Sequence, residues 1–212
     1  FLACVTSLII IGLVMVTSST VDFAATKFSN PLFFFKKQLI FIILGLVVLY
    51  VITHIKTNFY YDYGKYFLLL SLIISLLVHI PGLGVTINGA TRWINLGFFT
   101  LQVSEVSRLF FFIWLSGYIS RNDFNKNYLK IFLFLSILML AIVSQRDFGS
   151  MILLFVAFII FSFLSHVQIK HLLKVLSLAI IPILLLIVMY PYRIQRLLAF
   201  ISPWDDPQGS GY

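Results

Sequence analysis

Residues 38–55 read QLIFIILGLVVLYVITHI, a run of 18 residues that contains no Asp, Glu, Lys or Arg. A helix needs about 20 predominantly apolar residues to cross the hydrocarbon core of a bilayer. In lipid, every backbone polar group must be satisfied internally, and an α-helix achieves this within one segment. The run therefore predicts a transmembrane helix, which sets the fold class for the whole chain.

The same pattern recurs along the chain, and it predicts an all-α, polytopic transmembrane bundle of about seven helices. Pro182 lies inside the last span, where neighbouring helices can satisfy the carbonyl that a proline frees. The predicted spans are Phe1–Thr17, Gln38–Ile55, Tyr66–Ile80, Val103–Ile119, Leu129–Val143, Phe148–Ser165 and Leu172–Tyr190.

Composition excludes a soluble protein. Apolar residues make up 61% of the 212 residues and charged residues 10%, with a mean hydropathy of +1.05, whereas soluble domains carry about 25% charged residues. We expect a single transmembrane domain over residues 1–212. The sequence begins at Phe1 rather than Met and stops abruptly at Tyr212, so we expect a piece of a longer protein.

The net charge of +8 is scattered rather than clustered. Nucleic-acid binding would need a clustered basic face, so we expect none; basic loops instead suit anionic lipids. Three short connections (54–65, 120–130, 165–174) hold seven Lys and Arg in 33 residues, whereas the connections on the other side hold seven in 71. The denser set favours the short loops as cytoplasmic, with the N-terminus inside.

Four polar residues, Gln102, Ser104, Glu105 and Arg108, lie near the start of the fourth span. At about 100° per residue they share one arc of a helix, with Glu105 and Arg108 as i,i+3 neighbours. Charges at membrane depth cost about 2.5–3.5 kcal/mol each on insertion scales, so they need a role. That role is either a self-neutralising pair between helices or the wall of an outward-facing cavity that receives a charged headgroup.

Two connections on the presumed outer side carry further candidates. In residues 89–97, Arg92 stands beside Trp93; it either snorkels to lipid phosphates or binds a pyrophosphate with its planar guanidinium. In residues 144–150, Asp147 precedes an apolar run; it is either an N-cap or a carboxylate that orients cations or substrate hydroxyls.

The end of the sequence adds two arginines. Arg193 and Arg196 have i,i+3 spacing, and the Pro203-Trp204-Asp205-Asp206-Pro207 segment that follows is typical of turns. These could equally form a purely structural loop. The four His residues lack metal-ligand spacing, so we expect no metal ligands among the side chains, and the single Cys4 cannot form an internal disulfide.

Taken together, these stretches resemble the SEDS family (shape, elongation, division and sporulation), and they follow the family's order over nearly the whole chain. The segments around Pro31–Gln38 and Pro203–Pro207 resemble the division members most. The family usually has proline where this chain has Val103 and Arg146. The matching pieces are residues 12–19, 30–38, 89–97, 102–108, 145–149 and 202–212.

The resemblance implies a bundle of about ten helices in the full protein and a peptidoglycan glycosyltransferase. Such an enzyme polymerises lipid II, a polyprenyl pyrophosphate-linked substrate, at the outer face of the bacterial cytoplasmic membrane during septal cell-wall synthesis. It also implies a class B penicillin-binding protein and other division proteins as partners. The family's catalytic carboxylate lies in a loop beyond Tyr212, so we assign no catalytic residue here and expect these 212 residues alone to be inactive.

The residues that we expect to bind substrate are Arg92, Gln102, Ser104, Glu105, Arg108, Asp147, Arg193 and Arg196. No cofactor is implied with certainty; a divalent cation could offset the charge of the departing pyrophosphate. Two alternatives stay open: a lipid II flippase, which needs a polar path across the bilayer, and a membrane scaffold that recruits the penicillin-binding protein.

Overall fold

The computed structural model describes residues 2–87, 89–97 and 99–188, with side chains as far as residue 182. The chain divides into two compact units, residues 1–59 and 60–212. Each unit has its own internal contacts. The expectation of a single transmembrane domain stays a prediction.

The first unit contains two long antiparallel helices, α1 (Leu2–Phe28) and α2 (Phe33–His54). Their large aliphatic side chains are exposed, as expected for helices whose solvent is lipid rather than water. At the turn between them, the Phe28 and Phe33 rings stack with centroids 4.2 Å apart. Helix α1 continues eleven residues beyond the predicted end at Thr17, which corrects the prediction that residues 18–37 are a loop.

The extension of α1 has a local cause. Residues 18–28 contain neither Pro nor Gly, the two strongest helix breakers. The Ser and Thr side chains need no other partner, because hydroxyls donate back to carbonyls one turn earlier: Thr17 to Leu13 (2.7 Å) and Thr20 to Val16 (2.6 Å). Hydrophobicity alone ended the predicted span too early.

The remaining helices described are α3 (Thr57–Asp62), α4 (Gly64–Leu77), α5 (Val103–Arg121), α6 (Phe124–Ser144), α7 (Phe148–Leu164) and α8 (Ile169–Val188). Each of the seven predicted spans overlaps one helix, and α3 is a short addition within the predicted 54–65 loop. Within the described residues, α1, α2 and α6 are long and apolar enough to cross a membrane by themselves, while α4 and α7 are apolar but shorter.

The core of the second unit is centred on α6. Its completely buried residues, each at most 1% exposed, recur at spacings of three and four, which places them on one face of the helix. This face packs against α4, α5, α7 and α8. The residues are Tyr128, Ile131, Leu135, Leu138 and Ile142.

A three-stranded antiparallel sheet, which the sequence analysis did not predict, fills the connection between α4 and α5. Its strands are β1 (Gly84–Ile87), β2 (Ala90–Asn95) and β3 (Thr100–Gln102), in that order across the sheet. Ile94 packs with Val78 and Val103 in a small second core, which fixes the sheet on the ends of α4 and α5.

Two glycines make this sheet possible. Gly89, in the β1–β2 turn, has a φ of +73°, a conformation that costs other residues energy. At Gly84 a Cβ would lie 2.1 Å from the Val78 carbonyl oxygen, so only glycine permits the strand to approach the end of α4. The Asn88-Gly89 pair between alternating residues is the strongest short-range signal for a hairpin, and it was present in the sequence.

Candidate functional site

The corner between α6 and α7 lies at the end of the second unit that carries the sheet. Helix α6 ends in a Schellman motif: the Arg146 N–H donates to the Val143 carbonyl (2.8 Å) and the Asp147 N–H to the Ile142 carbonyl (3.3 Å). Arg146 occupies the left-handed position of this motif, with a φ of +59°. Proline, whose φ is fixed near −65°, could not adopt this conformation, so the left-handed corner requires a residue other than proline at position 146.

Four successive residues of this corner contact three different parts of the unit. The first two hold the end of α4, the third holds the hairpin turn and the fourth holds the start of α5. The contacts are Ser144 Oγ with His79 Nε2 (3.0 Å), Gln145 Nε2 donating to the Ser75 carbonyl (2.8 Å), Arg146 Nη1 donating to the Gly89 carbonyl (2.9 Å), and Ser104 Oγ donating to Asp147 Oδ2 (2.9 Å).

Asp147 is the centre of this polar cluster, and it is only 4% exposed. It is the N-cap of α7, since its Oδ1 accepts from the Ser150 N–H (3.2 Å), and this confirms the capping role. Its Oδ2 accepts from Ser104 Oγ and, at 3.4 Å, from Gln102 Nε2. Arg92 Nη1 lies 3.9 Å from Oδ1. We therefore describe Asp147 as a carboxylate whose acceptor sites are largely occupied by protein donors.

These donors decide the charge of Asp147, which lies between two spans. Burial raises the pKa of its carboxyl, but the hydrogen bonds from Ser150 and Ser104 and the charge of Arg92 outweigh burial and hold the pKa below its ordinary value. The group is thus a stable anion at neutral pH. A carboxylate with a low pKa and filled acceptor sites is poorly suited to act as a general base, and well suited to position its partners.

Arg92 lies on β2 beside this anion. Its Nη2 donates to the Arg146 carbonyl, its Nε is buried without a partner among the described residues, and 31% of its side chain is exposed. A guanidinium has five N–H donors in a planar fork that matches phosphate oxygens. Arg92 is therefore held by its inner edge and retains an exposed part that an anionic ligand can reach.

The structure divides the four polar residues that were placed on one arc of the fourth span. Gln102 is the last residue of β3 and not part of α5, so the single arc is wrong. Gln102 and Ser104 turn inward to Asp147. The reason is that the sheet continues to residue 102, so the helical period starts only at Val103, which is completely buried.

Glu105 and Arg108 form a second, separate feature. Arg108 Nη2 donates to Glu105 Oε2 within α5. The pair lies in an open groove of about 590 Å³ whose other lining residues are apolar. The side chain of Glu105 is 51% exposed and that of Arg108 is 23% exposed. This charge pair is thus accessible, unlike the Asp147 cluster, and it has no partner from another helix among the described residues.

The remaining predictions have different outcomes. Arg193, Arg196 and the turn segment 202–212 lie outside the described residues, so their roles stay predictions. Within the part of the chain that the structure describes, no group of three His, Cys, Asp or Glu side chains is placed to hold a metal ion.

Sequence reasoning missed Gln145, Arg146 and His79 as parts of this site. Gln145 is 1% exposed, and its Oε1 has no hydrogen-bond partner among the described residues. A buried acceptor without a partner is rare in proteins. No local sequence signal shows that Arg146, at the end of α6, has a left-handed backbone conformation. The Asn88-Gly89 hairpin signal could have shown that Gly89 and Arg92 are parts of one rigid element.

Fold and site together define a class: a multi-pass helical membrane protein with a small sheet packed over a polar cluster at one end of its second unit. A family model named for FtsW, RodA and SpoVE and described as "Cell cycle protein" matches residues 1–212. The chain therefore belongs to the FtsW/RodA/SpoVE family, the SEDS family.

Curated relatives agree with this assignment. Proteins named "Probable peptidoglycan glycosyltransferase FtsW" from Nitrosococcus halophilus and Thioalkalivibrio sulfidiphilus are 37% and 33% identical to the chain, over 95% and 98% of its length. The chain spans about half the length of these relatives, 53% in both cases. They are proteins to which this chain is similar over the part that it contains.

Solved structures share the fold. A chain of a peptidoglycan synthase complex that coordinates polymerization and crosslinking superposes with a TM-score of 0.68 at 21% identity, covering 93% of this chain and 60% of that one. The rod shape determining protein RodA of Thermus thermophilus gives a TM-score of 0.61 at 20% identity, covering 80% and 58%. At these identities the likeness establishes the architecture alone.

Proposed function

We propose that the full protein is a peptidoglycan glycosyltransferase that polymerises lipid II at the outer face of the bacterial cytoplasmic membrane. The names of the relatives support the reaction, and the fold shared with a chain of a peptidoglycan synthase complex supports a penicillin-binding protein partner. The relatives' name also supports septal cell-wall synthesis at the division site as the process served.

The observation that carries the proposal is the partly exposed Arg92 guanidinium, fixed by Arg146 and Asp147 at one end of the bundle. A lipid-linked pyrophosphate sits at the headgroup level of the membrane, and planar, preorganised donors bind such oxygens well. Positive charge placed there also stabilises the pyrophosphate as it departs. A bound divalent cation would supply the same kind of charge stabilisation.

A polymerisation assay tests the reaction. Full-length protein, purified with its penicillin-binding protein partner and given lipid II, is expected to form glycan strands. Arg92→Ala should lower kcat/KM about 10- to 100-fold, since a charge-assisted contact contributes about 1.5–3 kcal/mol. Arg121→Ala is the matched control, because Arg121 also holds a carbonyl, that of Tyr61, but is not part of the polar cluster. Absence of product with wild type and partner would refute the proposal.

Chemical labelling tests the outer-face placement. In a Cys4→Ser background, a cysteine at Ile87 on the exposed hairpin is expected to react with a membrane-impermeant maleimide added to intact cells. A cysteine at Lys126, in a densely basic short loop, is expected to be protected. Labelling at residue 126 with protection at residue 87 would invert the topology and exclude external chemistry at this site.

The polymerisation assay also separates the enzyme from a lipid II flippase. A flippase would move substrate between leaflets without glycan product.

A further inference from the structure

We infer that Arg146 is a positioning residue for Arg92: it clamps the β1–β2 hairpin onto the α6–α7 corner and thereby fixes the guanidinium proposed to receive the anionic substrate. The inference rests on the proposed function for its link to substrate. The clamp itself rests on geometry alone.

The clamp consists of two reciprocal contacts between the same two elements. The Arg146 side chain donates to the Gly89 carbonyl in the hairpin turn (2.9 Å). In the other direction, the Arg92 side chain on β2 donates to the Arg146 carbonyl. Each arginine therefore fixes the backbone that carries the other, and the two contacts lie three residues apart on the hairpin.

The backbone conformation of Arg146 makes this exchange possible. With a φ of +59°, the chain reverses direction immediately after α6, while the Schellman hydrogen bonds keep the corner rigid. A left-handed conformation costs a residue with a Cβ about 1–2 kcal/mol relative to glycine. An arginine at a position that favours glycine suggests that its side chain has a use, and the contact to Gly89 supplies one.

Among the described residues, few other side-chain hydrogen bonds hold the hairpin turn, and Ala90 beside it is buried. Thr86 and Thr91 share a hydrogen bond (3.0 Å) within the hairpin itself, and Ile87 is exposed. The packing of Ile94 on Val78 and Val103 holds the far end of β2, two residues beyond Arg92. Loss of the Arg146 side chain should therefore release the turn and the first half of β2 while the sheet as a whole remains folded.

Three variants of the full-length protein separate the side chain from the backbone. Arg146→Gly removes the side chain at a position whose backbone glycine accepts without strain. Arg146→Lys keeps the charge but replaces the planar fork by a compact ammonium group with a different geometry. Arg121→Ala deletes an arginine that also holds a backbone carbonyl, in a contact outside the clamp.

The first measurement is amide hydrogen exchange of residues 84–95 in detergent micelles, which does not depend on activity. Arg146→Gly is expected to speed exchange in the turn and the first half of β2 about three- to ten-fold, the equivalent of one lost hydrogen bond. Arg146→Lys should show a smaller increase, and Arg121→Ala none in these residues. Unchanged hairpin exchange in Arg146→Gly would overturn the inference.

The second measurement is the kinetics of lipid II polymerisation. A loosened Arg92 binds substrate and stabilises the departing pyrophosphate less well, so Arg146→Gly should raise KM three- to ten-fold and lower kcat, with partial rescue of both in Arg146→Lys. Faster exchange with an unchanged KM would overturn the positioning role. If wild-type protein forms no glycan, the proposed function fails, and hydrogen exchange still decides whether Arg146 clamps the hairpin that carries Arg92.

Discussion

The two charged features at this end of the second unit, the Asp147 cluster and the Glu105–Arg108 pair, use the same residue types in opposite ways. Asp147 is 4% exposed and accepts donors from β3, α5 and α7, with Arg92 of β2 alongside. Glu105 is 51% exposed and has its neighbour Arg108 as partner. One anion holds several elements together, whereas the other belongs to an accessible groove.

This difference shows that burial, more than charge, decides how much a carboxylate contributes to the free energy of unfolding. An exposed i,i+3 ion pair is worth about 0–1 kcal/mol, and the fold buries neither Glu105 nor Arg108 completely. A buried carboxylate that satisfies several donors cannot be removed without leaving those donors unpaired. We therefore expect substitutions at Asp147 to affect folding first, and substitutions at Glu105 to affect ligand binding without a large change in stability.

Asp147→Ala should cause the largest effect, a destabilisation of about 3 kcal/mol. The change removes the N-cap of α7, about 1 kcal/mol, together with the hydrogen bonds from Ser104 and Gln102 and the anion beside Arg92, and a hydrogen bond to a charged group contributes about 1.5–3 kcal/mol. Thermal unfolding in detergent, followed by intrinsic fluorescence, measures it. An unfolding temperature equal to that of wild type would show that the cluster does not hold the elements together.

Asp123→Ala is the matched control for capping. Asp123 is the N-cap of α6 and accepts from the Lys126 N–H (3.3 Å), but its side chain is 48% exposed. We expect a loss of about 1 kcal/mol, the usual value of a cap. If Asp123→Ala and Asp147→Ala cost the same, the contribution of Asp147 is capping alone, and its buried donors add nothing.

Acid should reproduce part of the Asp147→Ala effect. The folded pKa of Asp147 lies below its ordinary value of 3.8; its charge therefore stabilises the fold fully above about pH 3.8 and loses this effect as the pH falls through the folded pKa. The loss should be smaller than in Asp147→Ala, because a protonated carboxyl keeps its shape. In Asp147→Asn, the free energy of unfolding should therefore fall less between pH 7 and pH 3 than it does in wild type. An unchanged acid profile would contradict the assignment.

Glu105→Gln should have the smallest effect on stability, below about 0.5 kcal/mol, and still reduce polymerisation if the groove binds substrate through its charge. Asp62→Ala is the control, since Asp62 pairs with Arg121 (3.2 Å) and is 66% exposed. All three variants, Glu105→Gln, Glu105→Ala and Asp62→Ala, should accumulate to wild-type levels. The two Glu105 variants should lose more activity than Asp62→Ala. Equal activity of Glu105→Gln and wild type at equal abundance would remove this charge from the mechanism.

Much of the fold could be predicted because its determinants are local. An apolar run such as residues 38–55 has one stable solution in a bilayer, and the three-and-four spacing of buried residues in α6 follows from helix geometry. The Asp147 cap could be predicted for the same reason. The extension of α1 through residues 18–28 was missed because hydropathy measures the preference for lipid, while helix formation depends on the backbone.

The site was predictable in its residue types but not in its grouping. Gln102 and Glu105 are three residues apart in sequence, yet one belongs to a sheet and faces Asp147, while the other belongs to α5 and lines a groove. Helical spacing could not show this, because the boundary between β3 and α5 depends on strand pairing with β2. Pairing between segments depends on contacts that no local window contains.

The sequence by itself determined that this is a helical membrane protein of the SEDS family, since hydrophobic length and six ordered motifs are properties of the linear chain. Tertiary structure alone decided that Arg92, Arg146 and Asp147 meet. Arg92 and Arg146 are separated by 53 intervening residues and joined by a carbonyl contact. That contact exists because Arg146, at the end of α6, has a left-handed backbone conformation and a turn at Gly89 brings β2 against it. Packing of the whole unit, rather than any one segment, brings these residues together.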